Sequence, residues 1–353
     1  MSVLAFVGSR TTRERNARGE GISVLRVADD GTLARVHLQG GLVNPSFLAL
    51  NRRGDRLYTV HGDQHEVSAF AVDEDGKLAF LNQVGCGGRN PVHLALDPSE
   101  RFLVVPNHLD GTLAVLSVKE DGALGELLEL TKLPGVPGPH RIEQPFSKPH
   151  FNPFDPSGRF VLVPDKGLDR VFSFRFDAGR LVPAAQPWAQ AREGAGPRNL
   201  AFHPVLPVGY VLNELDSTLA TCGFDAESGA LQPRHLLTTL PATFTGHSRG
   251  AQLQVDPSGR FLHASNRGHD SIALFTLDAQ GTPAFVEAFS SGGRTPRFIA
   301  LGPVGDVLYA LNEDSDRIAV LPRDPASGRL GAPRQELPCG SPVCMVFRAS
   351  ARS

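Results

Sequence analysis

Pro149-His-Phe-Asn-Pro-Phe-Asp-Pro-Ser-Gly-Arg-Phe160 has two close copies in the same chain, Pro91-Val-His-Leu-Ala-Leu-Asp-Pro-Ser-Glu-Arg-Phe-Leu103 and Ala251-Gln-Leu-Gln-Val-Asp-Pro-Ser-Gly-Arg-Phe-Leu262. Weaker copies begin at Pro45, Pro197, Pro296 and Pro342, so successive starts fall at 45, 91, 149, 197, about 250, 296 and 342. Spacings of 46 to 58 residues match propeller blades and exclude leucine-rich or ankyrin-type stacks, whose helical patterning is also missing. Each copy reads as a short apolar strand, an Asp-Pro-Ser-Gly type turn, a second strand such as Phe102-Leu-Val-Val105, a loop, and a third strand such as Ser271-Ile-Ala-Leu-Phe275. A fourth, less regular strand follows turns at Asp75-Gly76, Asp121-Gly122 and Ser228-Gly229. Four strands per repeat make a blade.

The seventh copy, Pro342-Val-Cys-Met-Val-Phe347, supplies one strand, while strands at Val3 to Val7 and Gly21 to Val27 have no repeat before them. The two ends are expected to complete one blade between them, which closes the ring and removes aggregation-prone edges. The chain therefore reads as all-β: a seven-bladed β-propeller of four-stranded antiparallel blades, one domain over residues 1–353, with a disordered tail expected at 348–353.

Composition agrees. The 37 Gly and 28 Pro leave little room for long helices. Lys plus Arg number 35 against 37 Asp plus Glu, so no global field draws the protein to nucleic acid or anionic lipid. Cys86, Cys222, Cys339 and Cys344 form no CxxC pair and are too sparse for a disulfide-stapled secreted domain, so reduced thiols in a cytoplasm are expected. Nothing approaches the roughly 20 apolar residues of a membrane helix, and Met1 to Gly8 reads as a strand rather than a signal peptide. A soluble protein without nucleic-acid or membrane partners follows, as monomer or dimer.

In a blade the innermost strand starts at one face and the antiparallel second strand returns to it. Strand starts and second-strand ends therefore share a rim. The residues after the starting Pro are Ser46, Val92, His150, Arg198, Gln252 (with Ala251 taken in place of Pro), Arg297 and Val343. The returning positions are Gly62, His108, Lys166, Glu214, Arg267 and Glu313. Ionisable groups gather here while the rest of the repeat is apolar, which marks the rim as the candidate site. Plainer roles compete. Arg198 and Arg297 can tie blades together through backbone carbonyls, His203 stands where Asp97 and Asp155 make turns, and His61 and His108 can be bystanders. The Asn213/Asp216/Ser217 and Asn312/Asp314/Ser315 patterns read as turn chemistry. No HExxH, Cys/His ligand spacing or Asp-rich calcium loop is present, so neither metal nor cofactor is expected. There is also no GxSxG elbow and no dinucleotide fingerprint; Gly85-Cys-Gly-Gly88 and Ser291-Gly-Gly293 read as turns leading into blades.

The segments His150 to Arg170, Gly196-Pro-Arg-Asn-Leu-Ala-Phe-His-Pro204, Val211-Leu-Asn-Glu-Leu-Asp-Ser217 and Ser265-Asn-Arg-Gly-His-Asp-Ser-Ile272 resemble the bacterial seven-bladed lactonase family. That family contains 6-phosphogluconolactonases and is similar to fungal 3-carboxy-cis,cis-muconate lactonizing enzymes. The resemblance runs over roughly residues 3 to 347. It places the family's proposed catalytic quartet on His150, Arg198, Glu214 and Arg267, all on the rim derived above. Gln252, Lys148 and Lys166 depart from the family pattern, where an acidic residue, a His and an apolar residue are usual; these positions bear on which substrate is accepted.

The resemblance implies hydrolysis of a sugar-acid lactone such as 6-phosphogluconolactone, a small anionic substrate. Arg198 and Arg267 would hold an anionic group or the oxyanion, and His150 and Glu214 would serve as an acid and base pair of unassigned order. Lys166, His108, Arg297 and Gln252 are the expected substrate-binding neighbours. Two other readings stand beside it: cycloisomerisation of a carboxymuconate, and a non-catalytic propeller presenting a binding rim.

Overall fold

A computed structural model describes residues 3–303 and 306–348 of the chain. Among these, seven antiparallel sheets follow one another around a ring. Blades 1 to 6 occupy residues 45–85, 91–132, 149–190, 197–238, 249–290 and 296–338, and blade 7 combines 342–348 with 3–39. The chain ends meet as expected: Pro342–Arg348 is the innermost strand of blade 7 and pairs with Val3–Ser9, Leu4 facing Arg348 and Gly8 facing Cys344. Residues 349–353 of the expected disordered tail lie outside the described residues. Arg348 does not belong to such a tail: it ends the strand, and its guanidinium donates to the carbonyls of Asp73 and Glu74 in blade 1.

The repeated turn is built by its first side chain. One carboxylate oxygen of Asp97, Asp155 and Asp256 accepts the N–H of Phe102 (2.8 Å), Phe160 (2.7 Å) and Phe261 (3.1 Å), the residue that begins the second strand. Gly158 and Gly259 take φ of 72° and 71°, and Glu100 is held at 58° in the copy that lacks the glycine. His203 has the turn role read from its position. Its Nδ1 accepts the N–H groups of Val205 (3.1 Å) and Leu206 (2.9 Å), and its Nε2–H donates to Gly259 O (3.0 Å).

Two innermost strands are abbreviated. Blade 2 keeps a strand at Ala95–Leu96 and a bridge from Pro91 to Asn107; blade 3 keeps bridges from Pro149 to Asp165 and from Phe154 to Val161. Proline supplies no N–H to a ladder, and Pro149 and Pro153 both fall in the blade 3 segment.

The apolar core lies between blades. Tyr58, Val60 and Val67 of blade 1 meet Leu103, Val105 and Leu116 of blade 2, and the same pattern recurs around the ring. The sequence has three tyrosines, and all three tie one blade to the next: Tyr58, Tyr210 and Tyr309 donate to the carbonyls of turn glycines Gly122 (3.0 Å), Gly281 (2.6 Å) and Gly31 (2.8 Å). His263 Nε2 and Ser173 Oγ reach Gly328 O (2.8 Å) and Gly229 O (2.7 Å) in the same way.

Tyr58→Phe, Tyr210→Phe and Tyr309→Phe should each cost about 0.5–1.5 kcal/mol, the net value of one such bond, because each leaves a carbonyl without its donor. The pairs sit on separate blades, so the triple variant should lose the sum. Urea denaturation of the four proteins checks this; an unshifted midpoint in the triple variant would refute the stapling role.

Candidate active site

The site begins with a defect repeated in every blade. A residue at or next to the start of the innermost strand pairs with one at or next to the end of the second strand, as in Pro45–His61, Pro197–Asn213, Gly250–Asn266, Pro296–Asn312 and Pro342–Ser9, and the register then slips by one. Blades 2 and 3 slip likewise, between Pro91–Asn107 and Ala95–Val104 and between Pro149–Asp165 and Phe154–Val161. A bulge of one residue bends its strand and re-aims a side chain. Here the extra residues Ser46, Val92, His150, Arg198, Ala251, Arg297 and Val343 line an axial pocket enclosing about 430 Å³ of empty space, its open mouth included. Six of these are the rim positions read from the repeat. In blade 5 the reading was one residue off: Gly250, not Ala251, takes the place of the proline, so Ala251 is the bulged residue. Gln252 still lines the pocket, where its Oε1 accepts from Asn199 Nδ2 (2.7 Å).

Opposite each start the second strand ends in a buried polar residue: Ser9, His61, Asn107, Asp165, Asn213, Asn266 or Asn312. These side chains fasten neighbouring loops, as when Asn266 Nδ2 donates to Thr239 O (2.8 Å) and His61 Nδ1 donates to Val43 O (2.7 Å). Asp165 is the most heavily used. Its Oδ1 accepts the backbone N–H groups of Lys148 (2.8 Å), Gly167 (2.8 Å) and Leu168 (3.1 Å), and its Oδ2 accepts Ser147 Oγ–H (2.5 Å). The next residue along each strand stands at the rim, which places Lys166, Glu214 and Arg267 beside the bulged His150 and Arg198.

Glu214 is the hub. Its Oε2 lies 2.5 Å from Arg198 Nη1 and 3.3 Å from Arg267 Nη2; its Oε1 lies 3.3 Å from Lys166 Nζ and 3.6 Å from Arg249 Nη1. Burial alone would raise its carboxyl, yet Arg267, Arg198 and Lys166 together hold it well below the usual range. Arg198 is both a blade tie and a site residue: Nε donates to Ala251 O (2.9 Å), while Nη1 also donates to His150 Nε2 (2.5 Å). A guanidinium only donates, so His150 Nε2 is unprotonated and the ring is the neutral Nδ1–H tautomer. Burial, reinforced by Arg198 and His108, pushes its pKa well below the ordinary histidine value. His108 packs edge-on against it, ring centroids 5.2 Å apart, donates from Nδ1 to Pro149 O (3.1 Å), and is pushed down to about 3 by burial and by Lys166. Arg267 Nη2 donates to Gly250 O (3.1 Å), and its buried Nε has no hydrogen-bond partner among the described residues.

Charges also gather on the opposite arc. Arg297 Nη1 lies 3.4 Å from Glu313 Oε2, and Arg10 joins Glu313 (3.0 Å) to Asp63 (3.6 Å), which is also held by Arg15. Arg10 and Arg297 both line the pocket. So the structure brings together His150, Arg198, Glu214, Arg267, Lys166 and His108, and sets Arg297 across the pocket with Gln252 in the wall.

Sequence reasoning missed four members. Arg10 follows Ser9 as Arg267 follows Asn266, and extending the register into Val3–Ser9 would have found it. Arg249 precedes the unrecognised start at Gly250. Asp63 lies one residue past a predicted rim glycine. Glu143 comes from the long connection between blades 2 and 3 and carried no repeat signal; its carboxylate bridges Lys166 Nζ (3.0 Å) and Arg249 Nη2 (2.7 Å). Among the described residues no group of three or more His, Cys, Asp or Glu is placed to hold a metal ion. No helix of the described residues is long and apolar enough to cross a membrane, and all four cysteines are buried and unpaired.

Comparison with known proteins places this geometry. The profile of the family described as Lactonase, 7-bladed beta-propeller, matches residues 4–347. A 6-phosphogluconolactonase of Bacillus subtilis is 31% identical over 350 residues, 98% of each chain, and one from Formosa agariphila is 30% identical over 94% of this chain and 96% of its own. Among solved structures, a periplasmic gluconolactonase of Pseudomonas aeruginosa superposes with a TM-score of 0.91 at 29% identity, covering 99% of both chains. A Lactobacillus plantarum protein does so with the same score and identity over 99% of this chain and 100% of its own.

Asp165→Asn turns one acceptor oxygen into a donor inside a shell of donors. It should lower stability by about 1–3 kcal/mol, the cost of a buried unsatisfied group. Thermal and urea denaturation check this, and an unchanged melt would show that Asp165 does not organise the Lys148 to Leu168 corner.

Proposed function

The chain belongs to the seven-bladed β-propeller lactonase family, and from that premise we propose that it hydrolyses the lactone of a sugar acid, 6-phosphogluconolactone being the substrate its charges and its relatives' names favour over a carboxymuconate. One observation carries the reading: Arg198 Nη1, on the wall of the axial pocket, lies 2.5 Å from both the unprotonated His150 Nε2 beside it and Glu214 Oε2 behind it. A fixed donor, a proton acceptor and a buried counter-charge are what acyl transfer to water requires.

In this reading the lactone carbonyl accepts from the guanidinium groups of Arg198 and Arg267, which strengthen their hold as negative charge grows on the oxygen. Water adds to the carbonyl carbon and gives a proton to His150 Nε2 as Arg198 Nη1 leaves that nitrogen for the carbonyl oxygen. The ring C–O bond then breaks, and the same proton passes to the departing alkoxide, leaving an open-chain hydroxy acid. Glu214 and His150 are both unprotonated at rest, so a pair made of one acid and one base is replaced by one carrier used twice. Glu214, sunk behind Arg198, fixes the guanidinium. The low basicity of His150 comes partly from the positive field of Arg198. A substrate anion near Arg198 cancels some of the positive field and moves the imidazole toward the working range. The relatives' names support a role in carbohydrate metabolism, in the pentose phosphate pathway. Four unpaired thiols suit a cytoplasmic location.

Coupled assays with fresh 6-phosphogluconolactone and unphosphorylated gluconolactone, corrected for spontaneous opening, test the activity. His150→Ala and Arg198→Lys should each lower kcat/KM by about 10²- to 10⁴-fold. Wild-type rates in both variants would sink the assignment. Because the free-enzyme His150 lies below the ordinary histidine value and must be unprotonated, kcat/KM for the unphosphorylated lactone should hold level as pH falls from 7 to about 6. A decline already centred near 7 would contradict the half-buried, neutral imidazole.

A further inference from the structure

Blade 3 starts 58 residues after blade 2, where the shortest spacing in the ring is 46, and the surplus forms the connection from Leu133 to Lys148. This Pro- and Gly-rich segment is tied to the corner that presents Lys166. Gly138 N–H donates to Gly167 O (2.9 Å), Gln144 Nε2 donates to Lys166 O and Asp169 Oδ1 (2.8 Å each), and Ser147 bonds Asp165. Between these anchors the chain makes a local turn at His140 and lifts Ile142 into solvent, 80% exposed. Glu143, next to the anchor Gln144, turns inward and crosses to blade 5.

Two cations from different blades, Lys166 and Arg249, thus share two carboxylates of unequal standing. Glu214 is sealed, 3% exposed, and has Arg198 and Arg267 as well. Glu143 is at the solvent edge, 18% exposed, and Arg249 is 31% exposed. Burial would raise the Glu143 carboxyl; Arg249 and Lys166 bring it down to about 2, so it is fully charged. Lys148, Lys166, Arg198, Arg249 and Arg267 face Glu143 and Glu214, five positive groups against two negative ones. The arc has charge to spare for a dianion, but a dianion at Lys166 and Arg249 cannot coexist with Glu143 there without close like-charge contact.

We propose that Lys166 and Arg249 form the seat for a second anionic group of the substrate, a phosphate, and that Glu143 fills this seat until the substrate displaces it. The inference rests on the lactonase reading and assigns it a phosphorylated substrate. An ammonium and a forked guanidinium suit a phosphoryl group, which brings roughly twice the charge of the carboxylate it replaces. The seat adjoins the catalytic arc through Glu214, so the lactone ring can reach Arg198 and His150 while its far end is held. Opening needs only the turn at residues 139–143 to swing out, since Gly138 and Gln144 keep the loop attached.

Binding of the stable product pair, 6-phosphogluconate and gluconate, measured by isothermal titration calorimetry, tests the seat without requiring turnover. Glu143→Gln should bind 6-phosphogluconate about tenfold more tightly than wild type while gluconate changes by less than about twofold, and Arg249→Gln should weaken 6-phosphogluconate by about tenfold with gluconate again little affected. Equal tightening of both compounds by Glu143→Gln, or weaker binding of both, would overturn the proposal and leave Glu143 a structural brace. Should Glu143→Gln melt earlier than wild type, Glu143→Asp keeps the charge on a shorter stem and is expected to tighten 6-phosphogluconate selectively but less; no selectivity there also overturns it. If the binding pattern holds and neither lactone is hydrolysed, the catalytic reading fails and the anion seat stands. Hydrolysis without the pattern has the opposite meaning.

Discussion

One extra residue on each innermost strand, set just past a buried polar partner, is the constraint from which the site follows. The pairing of Pro197 with Asn213 or Pro296 with Asn312 pins the strand top, and the slip that follows leaves a residue that cannot lie in the sheet. That residue turns to the axis. Seven repetitions give seven axial positions at one level, and the residue after each buried partner gives a second level above the blade packing. Blades 4 and 6 use both levels for charged groups, Arg198 with Glu214 and Arg297 with Glu313; blades 3 and 5 charge only the second level, with Lys166 and Arg267, and Ser46, Val92 and Val343 leave their share of the pocket uncharged.

Concentrating charge in so dry a place is expensive. Replacing a buried ion cluster by apolar groups is often neutral or stabilising, so the cluster around Glu214 is poor evidence for a stability role. Its value lies in holding donors where negative charge will develop, before any substrate arrives. The neighbourhood is also over-supplied with cations, which reinforce burial in keeping two histidines in it neutral. Charge brought by a ligand therefore changes the proton affinity of the groups that act on it.

Much of the fold was legible because a β-strand has a fixed rise and a blade has a fixed width. Once Asp97, Asp155 and Asp256 were seen to open the same turn, positions such as His150 and Arg198 could be aligned across a hundred residues. Where the pattern weakened, the reading slipped by the amount of the weakening: blade 5 has Gly250 in place of proline, and Gln252 was put at a position that belongs to Ala251. Arg10 escaped because its blade is split between the chain ends. Glu143 escaped for a different reason, since it lies in a connection with no period to compare. Protonation states were beyond reach altogether. A histidine is neutral here because of what surrounds it, and neither spacing nor composition encodes that burial.

The closing blade also sets an order of events during synthesis. Its second, third and fourth strands, from Val3 to Gln39, leave the ribosome before the other six blades, but the strand that belongs inside them, Pro342–Arg348, leaves about three hundred residues later. Through that interval Phe6 and Val7, buried in the finished ring, have no inner neighbour on their own sheet. The blades that carry His150, Arg198, Glu214 and Arg267 are complete before the ring shuts, so the catalytic arc can be assembled on an open crescent. Arg10 reaches its final setting only when the last strand docks, and contact between the two halves of the pocket is the final thing the nascent protein acquires.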